Sequence, residues 1–162
     1  MKEIAREVDT EPRAFSISSI DLMELMQAVL AKDGVFQFRA GGSSMTPFIR
    51  SGDVITITSL DKRGARLGMV VAFKHPAGGH LVIHRIVGVA PGAVFIKGDN
   101  SPHRTDGWIP VGNLLGRVLE IRRNGKHVWL GLGIERYLIA FFSKVQWLIP
   151  IRSALAALRG RK

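Results

Sequence analysis

The chain has 162 residues, of which 46% are hydrophobic and 22% charged, a composition typical of one folded domain that excludes a disordered protein. Its formal net charge is +10, and residues 117–162 carry ten basic and two acidic side chains, so the excess lies in the C-terminal part. The absence of cysteine excludes disulfides, thiolate metal sites and cysteine nucleophiles.

The N-terminal part predicts a charged segment followed by one helix. Residues 1–18 contain no apolar run, so neither a signal peptide nor a membrane anchor is expected there. Ser18 is suited to cap a helix over residues 19–32, and Gly34 is suited to end it. Apolar side chains recur at helical spacing in this segment, at Leu22, Leu25, Met26, Val29 and Leu30.

The middle of the chain predicts strands. Segments of alternating or β-branched residues are separated by turn residues, in the order "VFQFRA", "DVITITSL", "MVVAFK", "HLVIHRIVGV", "AVFIKGDN" and "LLGRVLEIRRNGKHVWL". The last segment contains an Asn124-Gly125 turn between two strands. Strands in direct succession favour a mainly β fold with an antiparallel barrel or curled sheet.

The C-terminal tail predicts helical structure broken at Pro150. Apolar residues recur at helical spacing on both sides of the break, at Leu138, Phe141, Phe142, Val145, Leu148 and Ile149, then at Ile151, Ala154, Leu155 and Leu158. Polar residues interrupt this run, which is too short to span a bilayer. Because basic residues surround the apolar ones, we expect residues 137–158 to lie on a membrane surface. The alternative is a helix packed on the sheet or on a partner subunit.

A glycine-rich turn, "GGSSMTPFIRSGDVI", covers residues 41–55 and presents Ser43 and Ser44 at the end of a predicted strand. A serine in such a turn commonly serves only the turn. A nucleophilic serine would need a base to accept its proton and a third group to orient that base.

Among the five histidines, one lies within a predicted strand. In "LVIHRIVGV", His84 shares a face with Val82 and Ile86, while Arg85 points the other way. His84 is therefore either a core histidine or the base. The others lie in or beside turns and are expected to be solvated: His75, His80, His103 and His127.

Two carboxylates in "IKGDNSPHRTDGWIP" could orient that histidine. Asp99 follows Gly98 at a strand end, and Asp106 precedes Gly107 in a second turn. Each could instead cap its own turn, and spacing alone does not choose between them.

The segments "GGSSMTPFIRSGDVI", "HRIVGV" and "KGDNS….D.WIPVGNLLGRV", in this order, resemble the three sequence boxes of type I signal peptidases. These enzymes share a serine-protease clan with the repressor-type autoproteases. The resemblance covers residues 36–118 and implies the mostly β, barrel-like catalytic domain of the family, here with a leading helix and an amphipathic helical tail.

Residue by residue, the resemblance implies that Ser44 is the nucleophile and His84 the base, where most bacterial members have lysine. This places the chain in the Ser-His-Asp subgroup, in which Asp106 matches the better orienting acid and Asp99 the alternative. The backbone N–H of Ser44 would stabilise the oxyanion. Gly42 departs from lysine-type members that carry a hydroxyl at that position. No cofactor or metal is implied.

The resulting hypothesis is a serine endopeptidase that cleaves a leader- or signal-type peptide or protein. Residues 1–18 would form an N-terminal segment, residues 19–131 the catalytic domain, and residues 132–162 the basic tail. Family members are normally held by an N-terminal transmembrane helix, and none is predicted here. The tail would instead hold the enzyme at a membrane surface, most simply the cytoplasmic face; the alternative is a soluble cytoplasmic enzyme.

Other functions are weighed against this one. An inactive protein of the same fold could serve as a binding module. A self-cleaving repressor-type regulator would need a lysine in place of His84, a DNA-binding helix-turn-helix and a cleavable linker, and the Ala40-Gly41 bond lies too close to Ser44 to enter the site. The half-apolar tail argues against nucleic acid as a partner.

Overall fold

The computed structural model of the chain describes residues 19–101 and 103–144. The elements follow the predicted order and are, from the N-terminus, helix α1 (Ser19–Leu30), strands β1 (Phe36–Arg39), β2 (Val54–Thr58), β3 (Val70–Lys74), β4 (Leu81–Ala90), β5 (Ala93–Lys97), β6 (Gly107–Pro110), β7 (Leu114–Arg123) and β8 (Lys126–His127), and helix α2 (Arg136–Lys144). A short 3-10 turn, Val111–Asn113, connects β6 to β7.

The strands form one antiparallel sheet in the order β1-β2-β7-β3-β4-β5-β6, with β8 paired to β7. This sheet is open, because no ladder joins β1 to β6 among the described strands. The succession of strands favoured an antiparallel barrel or a curled sheet: the mainly β, antiparallel sheet is confirmed, and it is not closed. Succession predicts antiparallel neighbours, but closure requires the two edge strands to meet, and here each edge strand has only four residues.

Both faces of the sheet are covered by apolar side chains. Alternate residues of β3 point to opposite faces, so Val70 and Ala72 join one cluster while Val71 and Phe73 join the other. The first cluster includes Met26 of α1. Helix α1 therefore packs its apolar side against the sheet, as the helical spacing of its apolar residues predicts.

One strand was not predicted, and one part of the predicted tail lies outside the described residues. Strand β6 was not predicted, because a four-residue segment that begins with glycine and ends with proline gives little strand signal. Of the predicted tail helices, the described part is α2; residues 145–162 lie outside the described residues.

The glycine-rich turn is a loop closed at its neck. Ala40 N–H donates to the Asp53 carbonyl at 2.7 Å, and Gly52 N–H donates to the Ala40 carbonyl at 2.8 Å. The buried Asp53 carboxylate accepts from Arg123 and from the Arg50 N–H. Burial raises the pKa of Asp53, but these hydrogen bonds outweigh burial and leave the pKa below its usual value.

Helix α2 is attached to the same loop and to the sheet. Ile139 and Phe142 pack on Phe48, four residues after Ser44. The buried Lys97 of β5 donates to the Ser143 carbonyl at 2.9 Å, and burial lowers the pKa of Lys97. The beginning of the tail is therefore part of the folded unit that carries the glycine-rich turn.

Candidate active site

Ser44, His84 and Asp106 form one hydrogen-bonded chain. The Ser44 hydroxyl lies 2.8 Å from His84 Nε2, and His84 Nδ1 lies 2.6 Å from Asp106 Oδ2. The contacting side chains of His84 and Asp106 are each only 13% exposed. With its proton on Nδ1, neutral His84 donates to Asp106 and presents Nε2 as acceptor for the serine proton.

Three separate parts of the fold bring these side chains together. Ser44 lies in the loop between β1 and β2, His84 lies on β4, and Asp106 directly precedes β6. The Asp106 N–H donates to the Ile96 carbonyl at 3.1 Å, which anchors the acid to β5. The 22-residue separation between His84 and Asp106 is closed by the pairing of β4 with β5 and of β5 with β6. The 40-residue separation between Ser44 and His84 is closed through the neighbouring strands β2, β7, β3 and β4 of the sheet.

The turn after β5 supports the serine loop from behind. Asn100 N–H donates to the Ser44 carbonyl at 2.6 Å, and the Asn100 side chain donates to the Ser43 carbonyl at 2.9 Å. Sequence reasoning did not assign Asn100 a role, although it stands within the "KGDNS" segment. Its contacts fix the peptide groups on both sides of Ser44.

Gly98 lies directly against the reacting groups. A Cβ placed there would be 2.9 Å from the Ser44 carbonyl oxygen and 3.0 Å from His84 Nε2, distances that real Cβ contacts rarely show. Glycine is therefore required by close approach, which the sequence could not reveal.

Asp99, the alternative acid, does not contact the imidazole. It forms a bidentate ion pair with Arg85, and both side chains are fully buried. Asp99 also accepts from Ser143 Oγ at 3.0 Å, while Arg85 donates to the carbonyls of Gly68 and Gly131. Asp99 is thus occupied by a structural network, and the expected contact between Asp106 and His84 is the one present.

The Ser44 N–H is the donor expected to stabilise an oxyanion. Across residues 19–101 and 103–144, no hydrogen bond takes up this N–H. Gly42, two positions earlier, has φ 76°, a left-handed conformation that favours glycine and explains why no hydroxyl side chain occupies that position. A side-chain donor from position 42 is therefore excluded.

A cavity of about 730 Å³ opens onto the serine. Its apolar lining comes from β1, the first half of β4 and the loop that carries Ser44, with further contributions from α1 and β2; it includes Leu22, Phe38, Ile49, Ile55, Leu81 and Ile83. Ser44, His84 and Asp106 also line it. These three side chains therefore face a space large enough for several residues of an extended peptide.

The remaining histidines differ from expectation in one case. His80, His103 and His127 are exposed, as expected for turn residues. His75 was expected to be a solvated surface imidazole, but its side chain is only 23% exposed and lines the cavity. Strand periodicity gave no signal for this, because His75 lies just beyond the end of β3.

Comparisons with known proteins add no assignment. A scan against protein-family models gives no match for this chain, and neither does a comparison with curated proteins. In the part of the chain that the structure describes, no group of three or more histidine and carboxylate side chains is arranged to hold a metal ion.

The two acids are expected to respond differently to the same substitution. Asp99→Asn removes the charge partner of a buried arginine and should lower the free energy of unfolding by about 3–5 kcal/mol, measured by denaturant titration. Asp106→Asn should leave the unfolding free energy nearly unchanged but slow acylation of Ser44 by a fluorophosphonate probe by at least about a hundredfold. The reverse pattern would contradict these assignments.

Gly98→Ala should disturb the geometry between Ser44 and His84. Because a displacement of about 1 Å can reduce turnover by about a hundredfold, we expect Ser44 acylation to slow about ten- to a hundredfold. Gly112→Ala is the matched control, since a Cβ there meets nothing within 4 Å. Equal acylation rates in both variants would show that the close approach is not required.

Proposed function

We propose that the protein is a serine endopeptidase similar to type I signal peptidases and that it cleaves a leader- or signal-type peptide. The observation that carries this proposal is the continuous chain of hydrogen bonds from Ser44 through His84 to Asp106. These residues occupy the motif positions at which the Ser-His-Asp subgroup has its nucleophile, base and orienting acid.

The proposed reaction begins with attack of Ser44 Oγ on the carbonyl of the scissile peptide. His84 accepts the serine proton at Nε2 and later donates it to the leaving amine. Asp106 holds the Nδ1–H tautomer and stabilises the imidazolium. The Ser44 N–H stabilises the oxyanion of the tetrahedral intermediate, which collapses by breaking the peptide C–N bond and leaves an acyl-enzyme. His84 then takes a proton from the water that attacks the acyl carbonyl and gives it to Ser44 Oγ as the ester bond breaks.

Unpaired strand edges next to the cavity support a peptide substrate. Strand β1 pairs only with β2, so its other edge is free among the described strands. Residues 81–84 of β4 pair with β3 but not with β5, whose ladder begins at Arg85. An extended peptide could add its backbone hydrogen bonds to these edges while its side chains enter the apolar cavity.

The alternative functions have less support from the site. A self-cleaving regulator would need its own chain in the cavity, but Ala40 is held at the loop neck by two backbone hydrogen bonds. An inactive binding protein would not require the aligned serine, imidazole and carboxylate. The substrate is therefore proposed to be a separate peptide or protein, and the basic, half-apolar tail argues against nucleic acid.

Exposed apolar residues favour contact with a membrane surface. One face of α2, with Ile139, Ala140 and Ser143, is buried against the sheet, yet Leu138 and Phe141 are 63% and 59% exposed. Trp129 and Ile134, just before α2, are over 80% exposed. The helices of the described residues are all too short or too polar to cross a bilayer. The exposed apolar residues and the basic charge of the C-terminal part support our proposal of peripheral binding to a membrane surface, which we assign to the cytoplasmic face.

Replacement of the nucleophile tests the proposed chemistry. Ser44→Ala should abolish labelling by a fluorophosphonate probe and cleavage of leader-type peptides, with the fold unchanged by circular dichroism, because no other hydroxyl is bonded to His84 Nε2 in the described structure. Ser43→Ala is the matched control and should retain clear activity, since the Ser43 contact with Asn100 uses only its backbone carbonyl. Labelling that persists in Ser44→Ala would contradict the proposal.

Membrane contact is tested by liposome flotation. A triple variant, Ile134→Glu, Leu138→Glu and Phe141→Glu, should release the protein from anionic liposomes without changing the rate of Ser44 labelling, because both apolar burial and attraction to anionic lipid are weakened. Added salt should weaken parent binding only in part. The control carries glutamate at exposed apolar positions elsewhere, Leu25, Val89 and Leu119. If the parent protein does not bind anionic liposomes, the proposed membrane contact is wrong.

A further inference from the structure

Two imidazoles lie beside the carboxylate of Asp106. Its Oδ2 atom contacts His84 Nδ1 at 2.6 Å, and its Oδ1 atom lies 3.9 Å from His75 Nε2. His75 comes from the connection between β3 and β4, so it approaches Asp106 from a different part of the chain than His84 does. The Asp106 carboxylate therefore lies between two imidazoles, with His84 at Oδ2 and His75 near Oδ1.

Local contacts fix the orientation and the proton of His75. The Ala77 N–H donates to His75 Nδ1 at 3.2 Å, so the neutral ring carries its proton on Nε2, the atom nearest to Asp106. The ring also stacks on His80, with centroids 5.2 Å apart and planes 13° from parallel. His75 thus offers Asp106 an N–H donor whose direction is set by its own turn.

We propose that His75 is a positioning residue that acts through Asp106. A carboxylate with one oxygen bonded to His84 can still rotate about its terminal bond, and a second donor on the other oxygen restricts that rotation. The 3.9 Å between His75 Nε2 and Asp106 Oδ1 exceeds a hydrogen-bond distance, so the attraction between them is electrostatic. A small shift of the loop that carries Asp106 would shorten this distance to that of a hydrogen bond. This inference rests on the proposed peptidase function and adds a residue to its site.

The test compares His75→Ala with His75→Gln. Loss of the donor in His75→Ala should slow Ser44 acylation by a fluorophosphonate about three- to tenfold at saturating probe, with little change in the probe concentration that gives half-saturation. Glutamine can place an amide N–H where Nε2 stood, so His75→Gln should recover most of the rate. His127→Ala is the matched control, because His127 is an exposed imidazole paired with Glu120 at 3.1 Å.

A second measurement does not depend on activity. The ring-nitrogen NMR shifts of His84, assigned with the help of His84→Ala, report its bond to Asp106. They should change in His75→Ala, return towards parent values in His75→Gln, and remain unchanged in His127→Ala. If His75→Ala labels as fast as the parent protein and leaves these shifts unchanged, the proposal is overturned.

Two further outcomes separate the possible failures. If His75→Gln is as slow as His75→Ala and both lose the same thermal stability, His75 serves only the fold of its turn, and the positioning role is wrong. If the parent protein is not labelled at Ser44 but the His84 shifts respond to His75→Ala and recover in His75→Gln, the contact stands and the peptidase function fails.

Discussion

The buried ion pair between Arg85 and Asp99 is the interaction on which the rest of the site depends. Each partner is adjacent in sequence to residues of the candidate active site: Arg85 follows His84, and Asp99 lies between Gly98 and Asn100. Two charges fully removed from water are tolerated only when their geometry and remaining hydrogen bonds are satisfied. That requirement fixes β4 relative to the turn after β5, and with it the imidazole relative to the serine loop.

The same network includes the beginning of the tail. Ser143 donates to Asp99 through its hydroxyl and accepts from Lys97 through its carbonyl, so α2 is bonded to the turn that supports Ser44. Phe48 adds an apolar contact from the serine loop to Ile139. If the exposed face of α2 binds a membrane surface, these contacts would therefore hold the cavity at a fixed position relative to that surface. This arrangement agrees with the proposal of a peptidase whose substrate reaches it at a membrane surface.

The division of roles between neighbouring residues follows from strand geometry. Because successive side chains of a strand point to opposite faces, His84 can meet the cavity while Arg85 is buried. The two carboxylates after β5 also have separate roles. Asp99 points inwards and pairs with Arg85, whereas Asp106, just before β6, contacts the His84 imidazole. One acid thus stabilises the framework, and the other contacts the proposed base.

Much of this arrangement could be predicted from local signals. Alternation identified the strands, helical spacing identified α1, and the Asn124-Gly125 turn was placed correctly, with φ of 50° and 76°. The motif segments named Ser44, His84 and Asp106 as a set. Strand β6, with four residues, gave too little periodicity to be recognised. Exposed apolar residues were predicted for the tail as a whole, but not for Leu138 and Phe141 of α2 in particular.

The sequence by itself determined which residue types are available and where strands and turns begin, because these depend on neighbours within a few positions. Only the tertiary structure decided that the sheet stays open, that Asp106 rather than Asp99 reaches His84, that Gly98 touches the reacting groups, and that His75 faces the acid. Each of these depends on which distant segments pair, and a pairing across 14 to 40 residues is set by burial and register, which local spacing does not encode.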